Sequence, residues 1–300
     1  MNARRPIALA AAAALLTLSG CRGCEKAQSI QEVALDVAAT SSGPAPAVAV
    51  AGPATPAYAG PSSKAADGFQ LSTGFLDANG KPLPQPKSAV SNAIYTTALD
   101  PAGHPIGALE RVGSAEMVGF LVALDLRHAL VASAPAPVRE GADARALTFA
   151  PPGGGDHALV VVFKPQGGAL HAVISPVSVA GNLPQLMGPG LNGLGMRAAT
   201  ALEHVQLSIL PANRAPTAPL GLTLEDIDSQ GHPKGAVMVP FAVLVDPPMG
   251  RAFVLETQGD SPLLHWHKPE PGEWLVLVAP QKGDRALAFH LSIPPAAEGK

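Results

Sequence analysis

Residues 287–293 read Leu287-Ala288-Phe289-His290-Leu291-Ser292-Ile293, and their alternation decides the fold. In an extended chain Leu287, Phe289, Leu291 and Ile293 share one face, while Ala288, His290 and Ser292 share the other. This is the period of a half-buried strand. Just upstream, Trp274-Leu-Val-Leu-Val278 is apolar without a break, and Leu159-Val-Val-Val-Phe163 has the same character, as central strands do. Further short apolar runs occupy residues 94–99, 120–126, 170–174 and 237–245, each bounded by Gly/Pro turns. Few segments carry a helical period. The reading is all-β.

Composition agrees. Among 300 residues there are 31 Gly and 32 Pro, with 47% hydrophobic, 4% aromatic and 14% charged. Leu, Ile and Val are too plentiful for a wholly disordered chain, and the Gly lack the G-X-Y period of collagen. A net charge of −3 gives no footprint for nucleic acid. The length allows one large domain or two of about 100–150 residues.

The first residues carry a separate message. Arg4 and Arg5 precede an apolar run over 7–18 that only Thr17 interrupts, and Leu18-Ser19-Gly20-Cys21 follows. A positive start, a short apolar run and small residues at a cut describe a secretory signal, too short to span a bilayer. Leu18-Ser19-Gly20-Cys21 resembles the lipobox of bacterial lipoproteins. That resemblance implies cleavage before Cys21, a diacylglycerol on its sulfur and usually an acylated amine, hence a firm membrane anchor. Arg22 stands where the familiar inner-membrane retention signal has Asp, which implies the outer membrane, facing the periplasm or the surface. Cys24 completes a CxxC spacing, but no third cysteine exists for a disulfide framework or a four-cysteine zinc site. Residues 25–67 are rich in Ala, Pro, Ser and Gly and nearly without charge after Asp36, the composition of a disordered tether reaching on the order of 40 Å.

The two halves of the remaining chain repeat. Asp100-Pro-Ala-Gly103-His104-Pro105 matches Asp228-Ser-Gln-Gly231-His232-Pro233, and residues 120–125 match 241–246, placing Asp125 beside Asp246. Gln70-Leu71-Ser72 answers Gln206-Leu207-Ser208, Val162 to Gln166 parallels Val278 to Gln281, and Ile174-Ser175 parallels Leu291-Ser292, all in one order. The expected organisation is a signal over 1–20, an anchor and tether over 21–67, and a first sandwich over 68–180. A link over 181–200, a second sandwich over 201–295 and a tail over 296–300 complete it. The approach Pro269-Glu-Pro271-Gly272-Glu273-Trp274 resembles the Pro-Gly-x-aromatic entry of exported bacterial immunoglobulin-like modules, some of them cupredoxin-like and associated with copper. The resemblance spans about 90 residues of the second copy and, more loosely, the first, where His157 stands at the aromatic position. It implies two tandem immunoglobulin-like β-sandwich domains.

The sharpest local constellation is His265-Trp266-His267. On a strand both imidazoles share one face, and imidazoles suit copper or zinc, with His290 or Met249 as further ligands. The competing reading is a solvent-facing pair flanking a core Trp. His104 and His232 belong to the repeated turn, where Asp100 and Asp228 bond amides just ahead and Gly103 and Gly231 accept positive φ. Asp125 and Asp246 read as strand-end turns. Gly188-Pro-Gly190-Leu-Asn-Gly193 spells G-x-G-x-x-G without the strand–helix setting a dinucleotide needs, so it reads as linker. Glu225-Asp226 and Asp228 lack the ligand count of a calcium site. No G-x-S-x-G, H-E-x-x-H or P-loop occurs, and two Trp and two Tyr leave little for a sugar-binding platform. The sequence therefore points to a non-enzymatic envelope lipoprotein that binds or scaffolds a protein partner, with copper or zinc binding as the alternative.

Overall fold

The computed structural model describes residues 67–77, 81–126, 128–138, 141–182, 197–199, 204–210, 219–259, 261–279 and 285–295. The signal, Cys21, Cys24, nearly all of the tether, most of the link with its G-x-G-x-x-G spelling, and the tail lie outside the described residues. In chain order the strands are β1 (Gln70–Leu76), β2 (Pro82–Leu83), β3 (Asn92–Leu99), β4 (Leu109–Glu110), β5 (Met117–Ala123) and β6 (Ala129–Ala134). Then come β7 (Arg145–Phe149), β8 (Gly155–Pro165), β9 (His171–Val179), β10 (Arg197–Ala199), β11 (His204–Leu210) and β12 (Leu220–Ile227). The last six are β13 (Pro233–Ala236), β14 (Phe241–Val245), β15 (Ala252–Glu256), β16 (Leu264–Trp266), β17 (Gly272–Val278) and β18 (Leu287–Ile293). The fold is all-β: every regular element among the described residues is a strand, and no helix there is long and apolar enough to cross a membrane.

The strands form four antiparallel sheets. A first outer sheet runs β2-β1-β3-β7, and a first inner sheet runs β6-β5-β8, with β9 on the far edge of β8 and β4 against its end. The second inner sheet runs β15-β14-β17-β18, and the second outer sheet runs β10-β11-β12-β13, with β16 also paired to β12. Alternation along each strand assigns side chains to layers. Met117, Leu121, Leu159, Val161 and Phe163 of the first inner sheet pack with Leu71, Ile94 and Leu147 of the first outer sheet. In the second half, Leu244, Trp274, Val276 and Phe289 pack with Leu207, Leu222 and Trp266.

A third apolar layer joins the halves. Val118, Phe120, Val122, Val160 and Val162 leave the first inner sheet on its other face and meet Phe241, Val243, Val245, Leu275 and Leu277 of the second. The Phe120 and Phe241 rings meet edge-on, with centroids 6.4 Å apart. Both inner sheets are thus covered on both faces, which is why β5 is buried along its whole length and why β8 and β17 read as unbroken apolar runs. At roughly 1.5–3 kcal/mol for each large aliphatic or Phe side chain withdrawn from water, this middle layer is a principal source of stability. Backbone contact reinforces it: the Ala286 amide donates to the Ala129 carbonyl at 3.1 Å.

The inner sheets share one strand order, β6-β5-β8-β9 answering β15-β14-β17-β18, and β1-β3-β7 answers β11-β12-β16. Pairing register sets the equivalences residue by residue and corrects some read from the sequence. The amides of Leu126 and Met249 donate to Ala123 and Asp246, and both residues have positive φ, 57° and 56°. Ala123 is therefore the counterpart of Asp246, and Asp125 stands two residues away. Gly155-Asp156-His157 opens β8 as Gly272-Glu273-Trp274 opens β17, and Asp156 faces Ser178 as Glu273 faces Ser292. Ser178, not Ser175, is the counterpart of Ser292. In strands covered on both faces the aliphatic residues look alike, so sequence matching slides where hydrogen bonding does not.

Candidate functional site

The repeated turn is built twice with one geometry. The amides of Ala102 and His104 donate to Asp100 Oδ1 at 2.9 and 2.8 Å, and those of Gln230 and His232 donate to Asp228 Oδ1 at 2.8 and 2.9 Å. Gly103 and Gly231 have φ of 88° and 85°. The two imidazoles lean back on their own Asp, His104 Nδ1 at 3.5 Å and His232 Nδ1 at 3.3 Å from the second carboxylate oxygen, and both are largely exposed. Amide donation, led by His104 and His232, holds both carboxyls below their ordinary 3.8. Each motif closes on itself; the second joins the paired strands β12 and β13, and the first turns the chain back to a single bridge between Leu99 and Pro105.

The histidines of the second half are divided between sheets. His265 and His267 flank buried Trp266, their rings stacked at 6.0 Å with 11° between planes, His265 half-buried and His267 exposed. They belong to the outer sheet, where His265 pairs with Gly221 of β12. His290 lies on β18 of the inner sheet, its Nε2 2.9 Å from Glu273 Oε2. Met249 is buried in the middle layer. Among the described residues no three His, Cys, Asp or Glu side chains gather closely enough to hold a metal ion. Asp246 is taken up by its turn, accepting from the amides of Gly250 and Arg251 at 2.7 and 2.8 Å.

A different pair of imidazoles comes together in the first half. His157, at the start of β8, and His128, just before β6, point their Nε2 atoms at each other across 3.1 Å. His157 is fully buried, and its Nδ1 donates to the Gly155 carbonyl at 2.9 Å. That donation leaves the His157 Nε2 lone pair free, so His128 Nε2 donates into it. His128 Nδ1 is then a bare acceptor. It is one of two buried side-chain polar atoms without a partner among the described residues, Thr96 Oγ1 being the other. Burial pushes the His128 pKa down to about 4 and lowers that of His157 too, so both rings are neutral near pH 7.

His157 also lines a groove of about 390 Å³ at this end of the first half. Thr73 and Phe75 of β1, Pro84 and Gln85 after β2, Leu124 of the β5–β6 turn, and Asp156, Pro176, Val177 and Ser178 complete its walls. Leu124 is 44% exposed. At the register-equivalent place in the second half, Arg251 stands for His128 and Trp274 for His157, with the guanidinium 5.1 Å from the ring centroid. One signal for the site was present in the sequence, a His where the second copy has its aromatic residue. The other imidazole comes from 29 positions away, a distance only folding closes.

No protein-family model matches the chain, and no curated protein matches it. One solved structure with some likeness is a Ca2+-stabilised adhesin that helps an Antarctic bacterium reach out and bind ice. It is 9% identical, with 77% of this chain and 57% of that chain covered at a TM-score of 0.19. This chain thus spans little more than half the length of that structure, and a likeness of this size carries no functional argument.

Proposed function

We propose that this chain is a lipid-anchored protein of the cell envelope, acylated at Cys21, that binds a protein partner and does no catalysis. Leu18-Ser19-Gly20-Cys21 behind Arg4, Arg5 and an apolar run is the observation that carries the reading. Two or three acyl chains hold a protein at a membrane firmly, and the Ala/Pro-rich tether lets the β-rich body reach a partner. The groove beside Leu124 supplies a largely apolar concave surface between β1, β8 and β9, held by a rigid β scaffold. The outer membrane is the expected site, because Arg22 follows the cysteine.

The test has two stages. Metabolic labelling with palmitate should tag the wild-type chain and fail with Cys21→Ala; equal labelling of both removes the anchor. In-cell crosslinking of the anchored protein should then capture one reproducible partner, and Leu124→Arg, a change at an exposed side chain, should abolish that adduct. A pattern unchanged by Leu124→Arg refutes the groove as the contact.

A further inference from the structure

We infer that His128 and His157 form a metal site in the first half, taking one divalent, imidazole-preferring cation between their Nε2 atoms and leaving its other positions to water. Geometry supports this first. With metal–imidazole bonds of roughly 2.0–2.1 Å, donors 3.1 Å apart subtend about 100° at the metal, an angle that suits cis ligands of tetragonal Cu(II) or tetrahedral Zn(II). The outer shell is already in place on one side. The Nδ1–H of His157 is held by the Gly155 carbonyl, which fixes the tautomer that leaves Nε2 with its lone pair, as second-shell partners of ligating histidines do.

The proton inventory balances. Each neutral ring carries one N–H, and when Nε2 of His128 takes up the metal its proton moves to Nδ1, the nitrogen now lacking a partner. No proton is released, and nothing is oxidised or reduced.

The second half builds the same strand order without these imidazoles. The same two positions in the second half hold Arg251 over Trp274, which leaves Trp274 Nε1 bonded to the Glu270 carbonyl at 3.1 Å. The His pair instead buries an unsatisfied nitrogen. The first half thus keeps two facing imidazoles where its twin keeps a guanidinium over an aromatic ring. His265 and His267 are separate from it, on the second outer sheet.

The decisive experiment titrates the full chain, carrying Cys21→Ser and Cys24→Ser to remove competing thiolates, with Cu(II) and then Zn(II). Calorimetry gives stoichiometry, and the nitrogen superhyperfine pattern of the Cu(II) spectrum counts imidazoles. Three variants are compared: His157→Ala, the double change His128→Arg with His157→Trp that installs the second half's own pair, and His265→Ala with His267→Ala. The expected result is loss of one two-imidazole equivalent, with at least a tenfold weaker affinity, in the first two variants only. Cu(II) should bind more tightly than Zn(II). Retention of that equivalent by the folded Arg/Trp variant, or its loss on changing His265 and His267, overturns the assignment.

Discussion

At the residue scale the repeated Asp-x-x-Gly-His-Pro turn is an experiment the chain performs on itself. A Cβ at Gly103 would meet nothing within 4 Å, so Gly103→Ala tests backbone conformation alone. Its φ of 88° is one that L-residues adopt at a penalty, and the expected loss is about 1 kcal/mol in urea denaturation, with a similar loss for Gly231→Ala. Asp100→Asn keeps the turn's side-chain acceptor and removes its charge. Because amide donation holds the folded carboxyl below 3.8, its contribution is complete above that pH and is lost as pH falls through the folded value. Asp100→Asn should therefore have a lower urea midpoint than wild type at pH 6, and the gap should narrow as pH falls below 3.8. A gap that does not narrow on acidification below 3.8 would show that the charge is not what stabilises the turn.

At the element scale the informative strands are those with no polar face. Phe120 belongs to a strand that an isolated sandwich would leave open to solvent, yet it is fully buried against Phe241. Phe120→Ala should cost about 3–5 kcal/mol, as core Phe truncations do. Leu124→Ala, four residues on and exposed, should stay within about 0.5 kcal/mol. Equal, small losses at both positions would deny the middle layer its role. Strand existence was legible here, because Leu159 to Phe163 and Trp274 to Val278 could be nothing else at that length and composition. Register was not. Neighbouring Val and Leu residues are interchangeable to a sequence comparison, which pairs Asp125 with Asp246 and Ser175 with Ser292, whereas the hydrogen-bond register pairs Ala123 and Ser178 with them.

At the scale of the whole molecule, the halves are joined by the same kind of apolar layer that holds each together. The contact is reciprocal: β15 packs on β9, and the chain entering β18 bridges to β6. Residues 67–295 should therefore unfold in one cooperative transition by calorimetry, not two. A fragment of residues 67–182 should expose the middle layer, self-associate in size-exclusion chromatography, and pair with a fragment of residues 197–295 on mixing. Two separate transitions, or a monodisperse monomeric first fragment, would show that the halves are independent.

The sequence alone determined the all-β character, the repeated turn and the expectation of an anchor at Cys21. Each is a local matter of side-chain period, of Asp and Gly chemistry within five residues, or of a short apolar run before a cysteine. Tertiary structure alone decided the rest. It stacked the two inner sheets face to face, set His265 and His290 on different sheets, and brought His128 to His157. These are long-range pairings, and a linear chain records which residues want burial or a partner without recording which distant residue will supply it.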